Sequence, residues 1–218
     1  MEDWEGRAAR GRERFEDGAS RSPDAPDERQ RQLTRMGNAA WGTGLSFLML
    51  GRRAEAEEWL LRAADTYRES WPDAPPGSWG RPIGAMKSRL VVNDLDGARA
   101  DARWALDAGA ADSESPIGRY AATLAALVLG EDESAAALAA TLGGADSIPT
   151  AVTRSLTALA RGDSSRYEAA IGDLVAHFES RDEYLEDVPV ADTVLALQEL
   201  AAARGITIAL TSTLLPER

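Results

Sequence analysis

Residues 37–70 read GNAAWGTGLSFLMLGRRAEAEEWLLRAADTYRES, and this stretch predicts two antiparallel helices joined by a tight turn at Gly51. In the first half, large apolar side chains recur at the spacing that places them on one helical face. They are Trp41, Leu45, Leu48 and Met49. A second apolar stripe runs from Ala56 to Tyr67, with charged residues between its members. Since neither stripe is wide enough to be stable alone, the hairpin must bury its apolar face against neighbouring elements.

Further hairpins follow along the chain. Each is divided by a turn signal, at Gly51, Asn93, Gly130 and Gly162. A small residue stands five positions after each of the first three turns, where close helix crossing leaves no room for a large side chain. These residues are Ala56, Ala98 and Ala135, while Tyr167 takes the place in the fourth hairpin. We therefore predict an all-α fold, an array of antiparallel helix hairpins that ends in a short extended tail after Gly205.

Two segments differ in composition. Residues 1–26 are strongly charged and end in SRSPDAP, which predicts a loosely docked N-terminal arm or a short helix, followed by a linker. Residues 27–218 carry the hairpins and are predicted to form a single helical-repeat domain.

The charge balance limits the partners of the chain. There are 36 acidic and 24 basic residues, a net charge of −12, which opposes nonspecific binding to nucleic acid or to anionic membranes. All basic residues except Lys87 are arginine. This lysine-poor acidic composition resembles proteins of salt-loving archaea, and high-GC codon usage explains it equally well. With no apolar run near the ~20 residues of a bilayer span and a charged N-terminus, we predict a cytoplasmic protein.

The chain lacks the residues that many catalytic mechanisms need. The chain has no cysteine, which excludes disulfides, thiolate nucleophiles and cysteine-ligated metals. The one histidine is His177, and the sequence has no G-x-S-x-G or comparable turn to supply a serine nucleophile beside it. No phosphate-binding glycine motif is present either. The run NDLDG imitates a calcium loop, but Val92 and Arg103 occupy ligand positions at its two ends. We therefore predict no catalytic residue, no metal site and no cofactor.

One enzymatic alternative stays open. The acidic run RDEYLED at 181–187 lies close to His177 in sequence. A carboxylate-dependent, metal-assisted hydrolase could use His177 with Asp182, Glu183 and Glu186. The other interpretation is a solvated acidic turn in an acidic chain.

The first hairpin has a small, an aromatic and two further small residues at Gly44, Phe47, Ala56 and Ala63. This pattern resembles the consensus of tetratricopeptide repeats. The resemblance implies that the first helix of each pair lines a concave groove that binds proteins or peptides. Carried over by position, the groove residues are Asn38, Trp41, Ile83, Lys87 and Tyr120.

The proline-rich stretch 71–82 has two interpretations. Trp79 and Arg81 have the chemistry of interface anchors, since Arg81 can pair with a carboxylate through two hydrogen bonds. Alternatively, the stretch closes a gap between unequal hairpins. The first interpretation adds both residues to the predicted partner-binding site.

At the end of the chain, an Ala/Leu-rich helix is predicted to stop at Gly205 and to lead to a segment that closes in Ser212, Leu215 and Pro216. This pattern resembles the immunity protein 49 family of polymorphic toxin systems. The resemblance implies that the chain acts by binding a toxin. We therefore expect a non-catalytic protein that captures a protein or peptide partner sterically.

Overall fold

Helices account for all the regular secondary structure in the computed structural model, which describes residues 3–21, 23–143 and 147–217. The helices are α1 (Trp4–Ala19), α2 (Pro26–Met49), α3 (Arg53–Glu69), α4 (Gly80–Val91), α5 (Leu95–Asp107), α6 (Pro116–Leu129), α7 (Asp132–Ala140), α8 (Thr150–Ala160), α9 (Ser164–Glu179) and α10 (Asp192–Ala202). Two short 3₁₀ turns cover Ala110–Asp112 and Leu185–Asp187. Within the described ranges no strand occurs, so the predicted all-α class is confirmed.

The four predicted turns share one backbone conformation. Each turn residue has a left-handed φ, +72° at Gly51, +61° at Asn93, +79° at Gly130 and +62° at Gly162. Glycine adopts this conformation without a steric penalty, and asparagine tolerates it better than most residues. The turns therefore lie where the sequence placed them and separate α2 from α3, α4 from α5, α6 from α7 and α8 from α9.

The residue five positions after each turn lies at a helix crossing. Ala56, Ala98 and Ala135 are all buried, and Tyr167 is fully enclosed in the fourth hairpin. In the first hairpin α2 and α3 approach closely, because a Cβ on Gly44 would lie 3.0 Å from the backbone nitrogen of Leu60. Small residues therefore permit close packing of the helices in the first three hairpins, whereas the fourth accommodates a tyrosine.

Helices pack mainly on their neighbours in sequence, and α10 is the exception. Contacts run from α1 to α2, from α2 to α3 and onward through α9. Helix α10 instead packs on α4, and less extensively on α8 and α9. Its first seven residues, 192–198, are all buried. The last helix therefore closes onto the middle of the chain.

Both ends of the chain contact the helices. Of the predicted arm, α1 packs on α2, and Phe15 stacks edge-on against Trp59 of α3 at 5.5 Å. Residues 206–212 have no regular secondary structure, while Leu214 and Leu215 are buried beyond them. Residues 1, 2, 22, 144–146 and 218 of the two predicted segments lie outside the described ones.

Helix α7 begins directly after its cap residue and spans Asp132–Ala140. Because the backbone N–H of Ala135 bonds to the Glu131 carbonyl at 2.9 Å, Glu131 is the cap residue, without a side-chain hydrogen bond. In the part of the chain that is described, no helix has both the length and the apolar character needed to cross a membrane.

Candidate partner-binding site

An open cavity of about 430 Å³ lies between α2, α3, the start of α4 and the segment that precedes α10. We call it the groove cavity. Its lining consists of Thr34, Asn38, Trp41, Tyr67, Ser78, Gly80, Arg81, Ile83, Gly84, Lys87, Leu185 and Asp192. Five of these are residues that the sequence assigned to partner binding, namely Asn38, Trp41, Arg81, Ile83 and Lys87. Residues far apart in sequence thus meet around one space.

Tyr67 of α3 positions the wall of the groove cavity. Its ring fits between two helices that carry glycine at the contact, since a Cβ on Gly37 or on Gly84 would lie 2.8 Å from the ring. The Tyr67 hydroxyl donates a hydrogen bond of 2.8 Å to Oδ1 of Asn38. Burial raises the pKa of Tyr67, and the negative charges of Asp192 and Glu186 raise it further. The phenol therefore stays protonated and fixes the Asn38 amide.

Arg81 is a buried cation in the same wall, with 7% of its surface exposed. Its Nε and Nη2 donate to Oγ1 of Thr34 at 3.3 and 3.0 Å, and Nη2 also donates to Oε1 of Gln30. Both acceptors are neutral, and Arg81 forms no ion pair with any described carboxylate. Burial lowers the pKa of Arg81, although a guanidinium remains protonated in proteins.

Lys87 is neutralised within the protein. Its ammonium group pairs with the carboxylate of Asp192 at the start of α10 and donates to Oγ1 of Thr193 at 2.9 Å. Only 14% of the Lys87 side chain and 12% of the Asp192 side chain are exposed. This pair joins α4 to α10 at the edge of the groove cavity.

Two predicted partner-binding residues lie outside the lining of the cavity. Tyr120 is buried in α6, and burial together with the nearby Asp192 carboxylate raises its pKa. Trp79 is buried beside Trp71 at 5.7 Å, and Trp71 stacks edge-on against Trp104 at 5.4 Å. In the proline-rich stretch, Trp79 thus belongs to the packing that holds the loop down, whereas Arg81 belongs to the cavity wall.

Leu185 forms the rim of the groove cavity, and sequence reasoning missed it. It is 52% exposed, the only large hydrophobic side chain so exposed among the described residues. The turn that carries it has positive φ, 56°, at Glu186 and Asp187, a conformation disfavoured for residues other than glycine. Glu186 is held by Arg14 of α1 at 2.7 Å. The available signal was a lone leucine within the acidic run at 181–187.

The residues of the enzymatic alternative have other contacts or are exposed. Nε2 of His177 lies 3.2 Å from Nη2 of Arg181, and burial with the Arg181 charge lowers the pKa of His177. Asp182 and Glu183 are exposed, while Glu186 pairs with Arg14. Over the described ranges, no group of three or more His, Cys, Asp or Glu side chains is placed to hold a metal ion.

Comparisons with protein-family models, with curated proteins and with solved structures give no significant match. The resemblances to tetratricopeptide repeats and to the immunity protein 49 family therefore stay predictions from the residues that carry them.

Proposed function

We propose that this protein is a non-catalytic helical array that binds a protein partner through the groove cavity. The observation that carries the proposal is Leu185, a large apolar side chain left half exposed beside an open cavity. Monomeric proteins tolerate single exposed leucines, so the argument depends on what surrounds this one.

The surroundings of Leu185 have the composition of an interface centre. Trp41 and Ile83 supply buried apolar surface, and Arg81 supplies a charged donor. Binding energy at interfaces concentrates in aromatic and arginine side chains that line well-packed pockets. Asn38 is fixed by Tyr67 and adds a polar group whose orientation is set before binding, which lowers the entropic cost of association.

The TPR-like arrangement is part of the proposal. It is supported by the repeated left-handed turns and by packing between sequential helices. In this arrangement, the first helices of the pairs form an inner face and α10 lies along its middle. The groove cavity is then the part of that face left open at the α2–α4 end.

The specific partner that we propose is a toxin domain, and the mechanism is steric capture. This version rests on the resemblance of the C-terminal segment that ends in Ser212, Leu215 and Pro216. It assigns no chemistry to the protein itself, because a bound toxin is neutralised when its active surface is covered.

A photocrosslinking side chain at position 185 tests the proposal. The variant Leu185→p-benzoylphenylalanine, expressed in the native host, should give one discrete protein adduct that mass spectrometry identifies. The matched control places the same side chain at Ala169, which is exposed on α9. The purified partner should then bind Leu185→Asp at least about tenfold more weakly than wild type, with Ala169→Asp unchanged. Equal adducts at both positions would disprove the proposed site.

The toxin version has a separate readout. Expression of the identified partner alone should arrest growth, and co-expression of this protein should restore it. If expression of the partner alone did not arrest growth, the partner would not be a toxin, and the proposed binding site would still be supported.

A further inference from the structure

We infer that the partner inserts an acidic side chain, a Glu or Asp carboxylate next to an apolar residue, against Arg81 in the groove cavity. This inference rests on the proposed function, since it names the chemistry that the same cavity recognises. Three observations support it: the burial of Arg81, its neutral partners, and the charge balance of the cavity.

The hydrogen bonding of Arg81 leaves one side of its guanidinium unused. Nε and Nη2 donate to Thr34 and Gln30, whereas no acceptor among the described residues lies within hydrogen-bond distance of Nη1. Nη1 is not completely enclosed, since it is not among the enclosed side-chain atoms that lack a partner. Thr34 and Gln30 therefore hold the planar group in place while one donor nitrogen stays available.

A buried cation without a carboxylate is an unusual arrangement. Charged side chains that are removed from water are normally paired, because burying an unpaired charge is strongly unfavourable. The neutral oxygens of Gln30 and Thr34 compensate for only part of the lost hydration. A carboxylate from a partner would complete the ion pair at a position where both side-chain acceptors already fix the geometry.

The charge of the groove cavity favours a single negative charge. Its lining holds two cations, Arg81 and Lys87, and one carboxylate, Asp192, in a protein with a net charge of −12. Lys87 and Asp192 neutralise each other, so the net +1 belongs to Arg81. Glu186, which is close enough to raise the pKa of Tyr67, is paired with Arg14. A phosphate with two negative charges would be repelled by Asp192 and Glu186. A carboxylate, with one negative charge, matches the net charge of +1 in the groove cavity better.

The rim of the groove cavity indicates that the partner carries an apolar residue next to its carboxylate. Leu185 is the exposed apolar surface at the cavity edge, and Ile83 lines the same cavity. A segment that places an apolar side chain against Leu185 and a carboxylate at Arg81 uses both features. The segment that we propose is therefore acidic and apolar at adjacent positions.

The test uses two pools of N-acetylated, C-amidated octapeptides. One pool has Leu-Glu at its centre, the other has Leu-Gln, and the flanking positions are randomised identically. Binding is followed by ¹⁵N NMR at the Nε–H of Arg81 and at the backbone amide of Leu185. We expect the Glu pool to bind about tenfold more tightly than the Gln pool, the difference that one charge-assisted hydrogen bond produces.

Two variants assign the preference to Arg81. Arg81→Gln should bind both pools equally, and Arg81→Lys should keep part of the preference for Glu because it keeps the charge. The matched control Arg154→Gln changes an exposed arginine on α8 and should behave as wild type.

The outcomes separate this inference from the proposed function. Equal binding of the Glu and Gln pools in wild type, with shifts at Leu185, overturns the carboxylate and leaves the partner site standing. No shift from either pool overturns the acidic segment as ligand, while an adduct at position 185 would still support the groove cavity as the partner site.

Discussion

Close approach between backbones depends on single glycines, and Gly44 shows this most directly. A Cβ at this position would lie 2.6 Å from Cγ of Leu60 and 3.0 Å from its backbone nitrogen. The leucine side chain can rotate, but the backbone of α3 cannot move without separating the two helices. Gly44 therefore holds α2 and α3 at their observed distance.

We expect Gly44→Ala to lower the free energy of unfolding by at least about 1 kcal/mol, because overpacking outweighs the gain in helix propensity. Gly172→Ala is the matched control, since a Cβ there has open space around it within α9. That variant should be more stable than wild type by up to about 1 kcal/mol. Urea unfolding followed by circular dichroism measures both changes, and stabilisation by Gly44→Ala would contradict the close crossing.

His177 should make stability depend on pH near neutrality. Burial and Arg181 lower its pKa in the folded protein below the value of about 6.5 in unfolded chains. Above that value His177 is neutral in both states, and below it the unfolded chain binds the proton more readily. Stability should therefore fall as pH falls from about 6.5 through the lowered pKa of His177.

The variant His177→Gln isolates this effect because the chain has no other histidine. We expect the melting temperature of wild type to fall more than that of His177→Gln between about pH 7.5 and 5.5. Identical pH profiles for the two proteins would exclude the lowered pKa of His177.

The sequence was enough to predict several residues that line the groove cavity, but not the contacts that these residues make. The TPR-like register placed Asn38, Trp41 and Lys87 on one face, and they do line one cavity. The sequence did not indicate that Lys87 pairs with Asp192, because that contact depends on α10 packing on α4. Leu185 was missed because exposure of one leucine is decided by packing around the turn.

At the scale of elements, local signals predicted the helices well. Ser115 followed by Pro116 is a local signal for the start of a helix, and at the start of α6 the Ser115 hydroxyl accepts a hydrogen bond from the N–H of Gly118 at 3.1 Å. Gly130 predicted its end. Capping residues and the glycines that end helices act on the few residues beside them, so the local sequence is enough to predict them. The β-branched segment after Gly205 forms no strand, and the Gln198 side chain donates to the Ile208 carbonyl at 3.2 Å.

Helix α1 docks through a small residue within a charged sequence. Gly11 is buried against α2, where a Cβ would lie 2.2 Å from Oγ1 of Thr43 and 3.0 Å from the carbonyl oxygen of Ala39. The face of α1 that carries Gly11 has only the large apolar side chains Trp4 and Phe15. The sequence therefore left an arm and a short helix as alternatives for this segment. The docking of α1 also affects the candidate site, because Arg14 of α1 pairs with Glu186 in the turn that carries Leu185.

We expect Gly11→Ala to loosen α1 without unfolding the rest of the chain. Amide hydrogen exchange in residues 4–19 should become about tenfold faster or more, since overpacking lowers the free energy of local opening. Exchange in α4 to α9 should stay as in wild type. The control is Glu13→Ala, an exposed change on the same helix. Protection of residues 4–19 equal to that of wild type would show that α2 accommodates the methyl group.

At the scale of the whole molecule, a few ionic contacts join three helices at one carboxylate or helices that are distant in sequence. Arg68 of α3 and Arg89 of α4 both bond to the buried Asp101 of α5, at 2.6 and 2.8 Å. Lys87 and Asp192 join α4 to α10. Most other ion pairs lie on exposed surfaces, where each contributes little to stability. The closure of α10 onto the array therefore involves one largely enclosed ion pair, that of Lys87 with Asp192.

The pair between Lys87 and Asp192 should contribute to stability chiefly through the penalty for breaking it. We expect Lys87→Met to lower the free energy of unfolding by about 3 kcal/mol, because the Asp192 carboxylate is then left enclosed without its cation. The double variant Lys87→Met with Asp192→Asn should lose less than the sum of the two single variants, since neither charge remains to be buried unpaired. Urea unfolding of the four proteins gives the coupling energy. Additive losses would mean that water reaches the pair and that α10 is held on α4 by its apolar residues alone.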